Sequence, residues 1–327
     1  MQINSISANN IYSVNSNKNL KRVFIKNEHT SDCFIKSNNI SFCAVNPKED
    51  RKQKVEAFTN DMYRKVMTPT FSFEDVRAMV HKHSKGVVAV KPMNEAPKDS
   101  LFSKTLQGLF SVDLNFDERS NRIFYPKKGR ILYVTSESFK NPDLKGDIYA
   151  NAVHEYTHAL QIDDPLANPA KIFTRYLETH KNNVAGALKQ VQMVAGVINQ
   201  IEENIARPYI NVLLNNEEEA YEYMLSGKTD MLSWIAQRKK SEDFSSFVRE
   251  KVSSVIEKAE EENGLPIDKT LIYDTTINHF EREIEAYTNE SNVQRKMIGI
   301  GNVRSLTRVQ IYQKSIAVLR EMKKEAV

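Results

Sequence analysis

The sequence predicts an α+β fold that is predominantly helical. Short extended runs are confined to residues 86–135, a segment at about 147–163 has the pattern of a packed helix, and most of the chain beyond it has helical periodicity. We therefore expect a small antiparallel sheet, then one helix that carries a His-Glu-x-x-His motif, and then a helical C-terminal half.

The composition is that of a soluble globular protein. Of the 327 residues, 40% are hydrophobic and 27% are charged, and the net charge is +4. This mild basicity does not favour nucleic-acid binding. No run of 18 apolar residues occurs, so we expect no membrane span. We expect a monomer.

Residues 1–48 are rich in Ser and Asn and show little periodicity, so we expect a flexible tail. The N-terminus lacks the apolar core of a secretory signal. This composition resembles the export signals of bacterial effectors delivered by type III secretion. We therefore expect secretion without a Sec signal and delivery into a host cell, with a cytoplasmic protein as the alternative. Cys33 and Cys43 lie in this tail, and two free thiols are favoured over a disulfide.

The folded part is expected to span residues 49–327, with a first portion at 49–165. Helices are predicted at about 52–67 and 73–83. Strands follow at 86–90, 109–116, 122–125 and 130–135, separated by turn residues. The last of these strands is expected to offer an edge along which a peptide lies extended.

The segment Val153-His154-Glu155-Tyr156-Thr157-His158 carries the main chemical signal. Two histidines four positions apart lie one turn apart on the same face of a helix, where one Zn²⁺ can bind both. Glu155 lies beside them, placed to act on a water molecule rather than to bind the metal. Apolar neighbours indicate that this helix is packed: Ile148, Ala152, Val153, Tyr156 and Leu160.

The second portion, residues 166–327, is expected to be helical. Apolar residues recur at spacings of three and four in Val184, Leu188, Val191, Val194, Ile198, Ile201 and Ile205. This long helix is expected to end before Pro208. Further helices are predicted at about 209–225, 242–262, 277–297 and 305–324.

The motif and its setting resemble a zincin metallopeptidase, of the kind whose third zinc ligand is a glutamate. The resemblance implies that His154 and His158 bind Zn²⁺ and that Glu155 is the general base in the hydrolysis of a peptide bond. It implies a protein or peptide substrate. The alternative is a non-catalytic binding module on a zincin-like scaffold.

A third ligand has to come from elsewhere in the chain, and such families often supply it from a later Glu-x-x-Ala helix. Two segments read Glu-x-Glu-Ala-Tyr, beginning at Glu217 and at Glu283. Both glutamates share a helical face with apolar residues, where an unpaired carboxylate is costly. Glu217 follows His158 by fewer residues, which is more typical of these families, so it is favoured and Glu283 is its rival. Asp164 is a weaker candidate, because Gln161 stands where a glycine turn would be needed.

Catalysis also needs a donor that stabilises the developing oxyanion. Tyr221, Tyr287 and His279 are candidates because they lie on the presumed ligand helices. Packing in a helical core is an equally simple role for each of them.

Overall fold

The structure is a computed structural model. It describes residues 13–15, 47–96, 108–111, 113–117, 122–127, 129–135, 139, 145–162, 169–180, 183–239, 243–264, 267–299 and 301–326. Asp164, Cys33 and Cys43 fall outside these ranges, and so does nearly all of the predicted tail. The fold is α+β and predominantly helical, as predicted.

The N-terminal portion begins with a short strand and two helices. Strand β1 spans Ser13–Asn15, helix α1 spans Pro47–Val66 and helix α2 spans Phe73–His83. The bounds of α2 are those that the sequence predicts. Strand β1 lies inside the segment for which a flexible tail is expected.

The strands form two small mixed sheets rather than one antiparallel sheet. Strands β2 (Val88–Pro92), β3 (Gly108–Ser111) and β6 (Arg130–Val134) make one sheet, in which β6 pairs in parallel with β2 and antiparallel with β3. Strands β4 (Asp113–Asp117) and β5 (Arg122–Phe124) form the other sheet with β1, which runs parallel to β4. Because β6 is the central strand of its sheet, both of its edges are occupied, and the prediction that it offers a free edge is wrong.

Eight helices complete the described part of the chain. They are α3 (Lys145–Gln161), α4 (Pro169–Thr179), α5 (Val184–Leu214), α6 (Glu217–Leu225), α7 (Met231–Lys239), α8 (Phe244–Asn263), α9 (Lys269–Ile298) and α10 (Val303–Glu325). Helices α4 and α7 were not individually predicted. None of the helices in the described ranges has the length and apolar character needed to cross a bilayer.

Helix α5 continues through Pro208, where the sequence predicts its end. Proline removes one helical hydrogen bond and normally kinks or breaks a helix. Here Ile205, Tyr209 and Ile210 extend the buried face of the helix across the proline. Tertiary packing on both sides of Pro208 therefore outweighs the local preference.

Two hydrophobic clusters organise the molecule. The first joins α1, α2 and the β2–β6–β3 sheet to α3, and the second fills the helical half from α4 to α10. Helix α9 packs against both α3 and α10. It contributes Val293 to the first cluster and Phe280 to the second. The faces of α3 and α9 that meet between the clusters carry the candidate site.

Candidate metal centre

Helix α3 places both motif histidines on one buried face. Tyr156 stacks on Phe58 of α1, with ring centroids 4.2 Å apart, and this contact helps to fix the rotation of α3. His154 and His158 are 4% and 2% exposed. Their Nε2 atoms lie 3.1 Å apart, so both rings point toward one position.

Glu283 of α9 completes a group of three ligand atoms. Its Oε1 lies 3.4 Å from Nε2 of His158, and its Oε2 lies 3.8 Å from Nε2 of His154. Ligand atoms that are 2.0–2.2 Å from a tetrahedral zinc ion lie about 3.3–3.6 Å from one another. The three distances, from 3.1 to 3.8 Å, bracket this range. Among the described residues, these three form the one group of three or more His, Cys, Asp or Glu side chains that could hold a metal ion.

The carboxylate of Glu283 indicates that a cation belongs here. It is fully buried, and neither of its oxygens accepts a well-aligned hydrogen bond from the described part of the chain. Burial alone would raise the pKa of Glu283, but the charges of His158, His279 and His154 hold that pKa below its ordinary range. A buried, ionised carboxylate that lacks hydrogen bonds is costly unless a cation lies beside it.

A second acid holds the other side of the His154 ring. Oε2 of Glu290 lies 2.9 Å from Nδ1 of His154, and Oε1 of Glu290 accepts a 2.8 Å hydrogen bond from the Ser305 hydroxyl. Burial alone would lower the pKa of His154, but the contact with Glu290 and the nearby negative charges raise it to about 9. A carboxylate behind a ligating histidine orients the ring and makes its far nitrogen a better ligand.

His158 has an analogous partner in Gln161, one turn further along α3. Nδ1 of His158 lies 2.9 Å from Oε1 of Gln161, and the amide nitrogen of Gln161 donates to the Arg282 carbonyl oxygen at 3.0 Å. Nδ1 of His158 thus has a hydrogen-bond partner, and Nδ1 of His154 has an ion-pair contact that is not aligned as a hydrogen bond. The two Nε2 atoms face the common position.

Glu155 lies against the edge of the β2–β6–β3 sheet. Its Oε2 accepts a 2.7 Å hydrogen bond from the backbone N–H of Phe110 in β3, and the residue is 5% exposed. Burial raises the pKa of Glu155 above its ordinary value, and the charges of His154 and His158 oppose that shift. A carboxylate with a raised pKa suits the exchange of protons near neutral pH.

The structure does not bring Glu217 to the histidines. Its carboxylate makes a bidentate ion pair with Arg304, with 2.9 Å and 2.7 Å contacts, and its side chain is 31% exposed. The guanidinium group of Arg304 is the cation that pairs with the Glu217 carboxylate, so this acid does not need a metal ion as its partner. Of the two predicted candidates, Glu283 lies beside the histidines and Glu217 does not, so Glu283 is the third ligand that the geometry favours. Asp164 is not in the described part of the chain.

The candidate oxyanion donors occupy different places. Tyr287 lies edge-on to His154, with ring centroids 4.4 Å apart. His279 is held by Glu202, with 2.7 Å between Nε2 and Oε2, and Glu202 also accepts a hydrogen bond from the Tyr312 hydroxyl. Tyr221 lies on α6 with Glu217 and packs against the helical cluster. Of the three, only Tyr287 is in contact with a histidine of the motif in the described structure.

Sequence reasoning missed Glu290, Gln161 and Glu202. The sequence does carry a signal for Glu290, because polar residues recur at spacings of three and four along α9: Thr276, His279, Glu283, Tyr287, Glu290 and Gln294. Residues at this spacing share one face of a helix, and in a packed helix the buried face is normally apolar. A polar face on a long helix within the helical half therefore indicates a buried polar site.

No protein-family model matches the chain, and searches of curated proteins and of solved structures give no match either.

Proposed function

We propose that this protein is a zinc-dependent peptidase that hydrolyses peptide bonds in a protein or peptide substrate. One observation carries the proposal. His154, His158 and Glu283 converge on a single position, and the motif residue Glu155 lies in the same buried site. Two imidazole nitrogens and one carboxylate oxygen are ligands typical of catalytic zinc, which leaves a fourth position open.

A zinc ion at this position would act as a Lewis acid that lowers the pKa of a bound water molecule to about 7 and polarises the substrate carbonyl group. Glu155 would accept a proton from the attacking water as its oxygen bonds to the carbonyl carbon. It would then deliver that proton to the amide nitrogen as the carbon–nitrogen bond breaks. Glu290 and Gln161 would keep the two imidazole rings in the ligating orientation.

Strand β3 is the part of the sheet that would position a peptide. It is the edge strand next to β6, and Phe110 within it contacts Glu155. A peptide that pairs with an exposed strand edge lies extended, with its backbone held by hydrogen bonds. Along the outer edge of β3, a carbonyl group of such a peptide would lie close to Glu155.

The test is the substitution Glu155→Gln. The glutamine oxygen still accepts the hydrogen bond from Phe110, whereas the base is lost, so we expect zinc binding to persist and peptide hydrolysis to fall by at least about 100-fold. Glu250→Gln, an exposed acid on α8, is the matched control and should retain activity. If Glu155→Gln hydrolyses peptides as the unchanged protein does, Glu155 is not the base.

A non-catalytic binding module with a structural metal ion is the second candidate. The near-complete burial of Glu155 and its hydrogen bond to Phe110 favour it, because a structural site needs no access for substrate. The two functions differ in a simple assay. A structural site predicts that zinc raises the unfolding temperature but that no peptide library is cleaved, whereas a peptidase cleaves peptides and loses this activity with a chelator.

Export of the protein stays a prediction that depends on the composition of the N-terminal segment. A secretion assay on the chain without residues 1–46 tests it. Retained secretion after this deletion would place the export signal elsewhere.

A further inference from the structure

We infer that Arg51, at the beginning of α1, is a positioning residue that acts through Glu285 and Gln161 to favour one tautomer of His158. The inference rests on the proposed metal site, and it adds a residue about 100 positions away in the sequence from the motif. The four side chains form one connected series from the first turns of α1 to Nδ1 of a candidate ligand.

The series begins with a bidentate ion pair. Nε of Arg51 lies 2.7 Å from Oε1 of Glu285, and Nη2 lies 2.9 Å from Oε2. The Arg51 side chain is 8% exposed and that of Glu285 is 30% exposed, so this pair is partly removed from solvent. A bidentate guanidinium–carboxylate contact fixes both the position and the orientation of the carboxylate.

The next contact orients the amide of Gln161. Its Nε2 donates to Oε2 of Glu285 at 3.1 Å and to the Arg282 carbonyl oxygen at 3.0 Å. Both of these partners accept hydrogen bonds and donate none, so the NH₂ group of the amide must face them. The amide oxygen is therefore turned toward His158.

That orientation decides which nitrogen of His158 carries the proton. The amide oxygen lies 2.9 Å from Nδ1 and can only accept, so Nδ1 must carry the hydrogen and the Nε2 lone pair stays available for a metal. If the amide turned over, its NH₂ group would face Nδ1 and the proton would move to Nε2. A histidine protonated at Nε2 does not ligate through that atom.

Arg51 fixes the place of the Glu285 carboxylate in this series. Two acceptors then face the NH₂ group of Gln161, the carboxylate that Arg51 holds and the backbone carbonyl oxygen of Arg282. Without Arg51, Glu285 would lose two of the contacts that place its oxygen against Gln161. The Arg282 carbonyl oxygen alone would then hold the NH₂ group, so the flipped amide would be less strongly disfavoured. The first turns of α1 thereby contribute to the metal site although they do not touch the metal position.

The experiment compares Arg51→Met, Arg51→Lys and Glu285→Gln with Arg304→Met in the full chain. Arg304 is the matched control, since it makes the same bidentate contact with Glu217, which is not one of the three converging ligands. Zinc affinity is measured by competition with a chelator. We expect Arg51→Met and Glu285→Gln to weaken zinc binding by about 10-fold or more, Arg51→Lys to restore part of the loss, and Arg304→Met to change it by less than about twofold.

A second measurement does not depend on zinc. In the metal-free proteins labelled with ¹⁵N-histidine, two-bond ¹H–¹⁵N correlation spectra report which nitrogen of His158 is protonated. We expect Nδ1–H in the unchanged protein and in Arg304→Met, and a larger fraction of the Nε2–H tautomer in Arg51→Met and Glu285→Gln.

The outcomes separate this inference from the proposed function. If Arg51→Met and Glu285→Gln both leave the zinc affinity and the tautomer of His158 unchanged, the role of Arg51 is wrong. That result would not contradict the metal site. Failure of the unchanged protein to bind zinc would overturn the proposed function, and the tautomer spectra would still decide the role of Arg51. If Arg51→Met does not fold, as judged by circular dichroism, Glu285→Gln supplies the same test.

Discussion

Oε2 of Glu290 lies 2.9 Å from Nδ1 of His154, on the side of the imidazole ring opposite the nitrogen that faces Glu283. One histidine is thus held between two acids of the same helix, and α9 supplies both the candidate ligand and its orienting carboxylate. Several measurable properties follow from this arrangement.

The raised pKa of His154, about 9 in the metal-free protein, predicts that zinc binding releases protons near pH 7. At pH 7 the ring is protonated and must lose its Nε2 proton to bind a metal, so affinity should rise with pH until the pH passes about 9. Calorimetry in buffers with different ionisation enthalpies measures the number of protons released. Glu290→Gln should release fewer protons, because the contact that raises the pKa is weakened. Equal binding enthalpies in all buffers would contradict the prediction.

The choice of third ligand predicts opposite results for two matched substitutions. Glu283→Gln should weaken zinc binding by more than about 100-fold, beyond the loss expected for an orienting partner. Glu217→Gln should leave it unchanged, because that residue pairs with Arg304. A chelator competition assay measures both. The reverse order would restore Glu217 as the ligand.

Replacement of Glu202 is expected to reduce the stability of the protein strongly, whether or not a metal ion is bound. Its side chain is 9% exposed, and it pairs with His279 and accepts a hydrogen bond from Tyr312. Glu202→Ala removes the carboxylate that pairs with the buried His279 and accepts from the Tyr312 hydroxyl, so we expect the free energy of unfolding in urea to fall by about 3–5 kcal/mol. Glu219→Ala, which breaks the exposed ion pair with Arg238, should cost less than about 1 kcal/mol. Similar losses in both variants would argue against a special role for Glu202.

Replacement of glycine by alanine is expected to change the stability of the protein in opposite directions at two positions. Gly264 ends α8 with a φ of +66°, a conformation that costs an alanine about 1 kcal/mol or more. Gly196 lies inside α5, where an added Cβ has no atom within 4 Å, so alanine should stabilise the protein by about 0.5–1 kcal/mol. Thermal unfolding of Gly264→Ala and Gly196→Ala measures both. A stabilising Gly264→Ala would contradict the left-handed cap.

Local patterns in the sequence predict the helices well, but they predict strand pairing poorly. The bounds of α2 and the stop of α8 at Gly264 follow from nearby residues. The parallel pairing of β2 with β6 depends on contacts across about 40 residues, which alternation of apolar residues does not specify. The continuation of α5 through Pro208 likewise depends on packing by other helices.

The residues of the candidate site also divide into those that local sequence patterns predict and those that depend on packing between helices. His154, Glu155 and His158 lie within one turn and a half of one helix, so their spacing alone places them together. The preference between Glu217 and Glu283 needed the packing of α9 against α3, which sequence separation does not provide. In the sequence, Gln161 stands out only as the residue in place of a turn glycine, because its contact with Glu285, which Arg51 holds, comes from two other helices.

Glu290 follows Glu283 by seven positions, which correspond to almost two full turns of α9, and both carboxylates therefore reach the same imidazole ring. Insertion or deletion of one residue in this stretch would rotate one acid about 100° around the helix axis relative to the other. The number of residues between these two positions is therefore constrained, and single substitutions do not test this constraint.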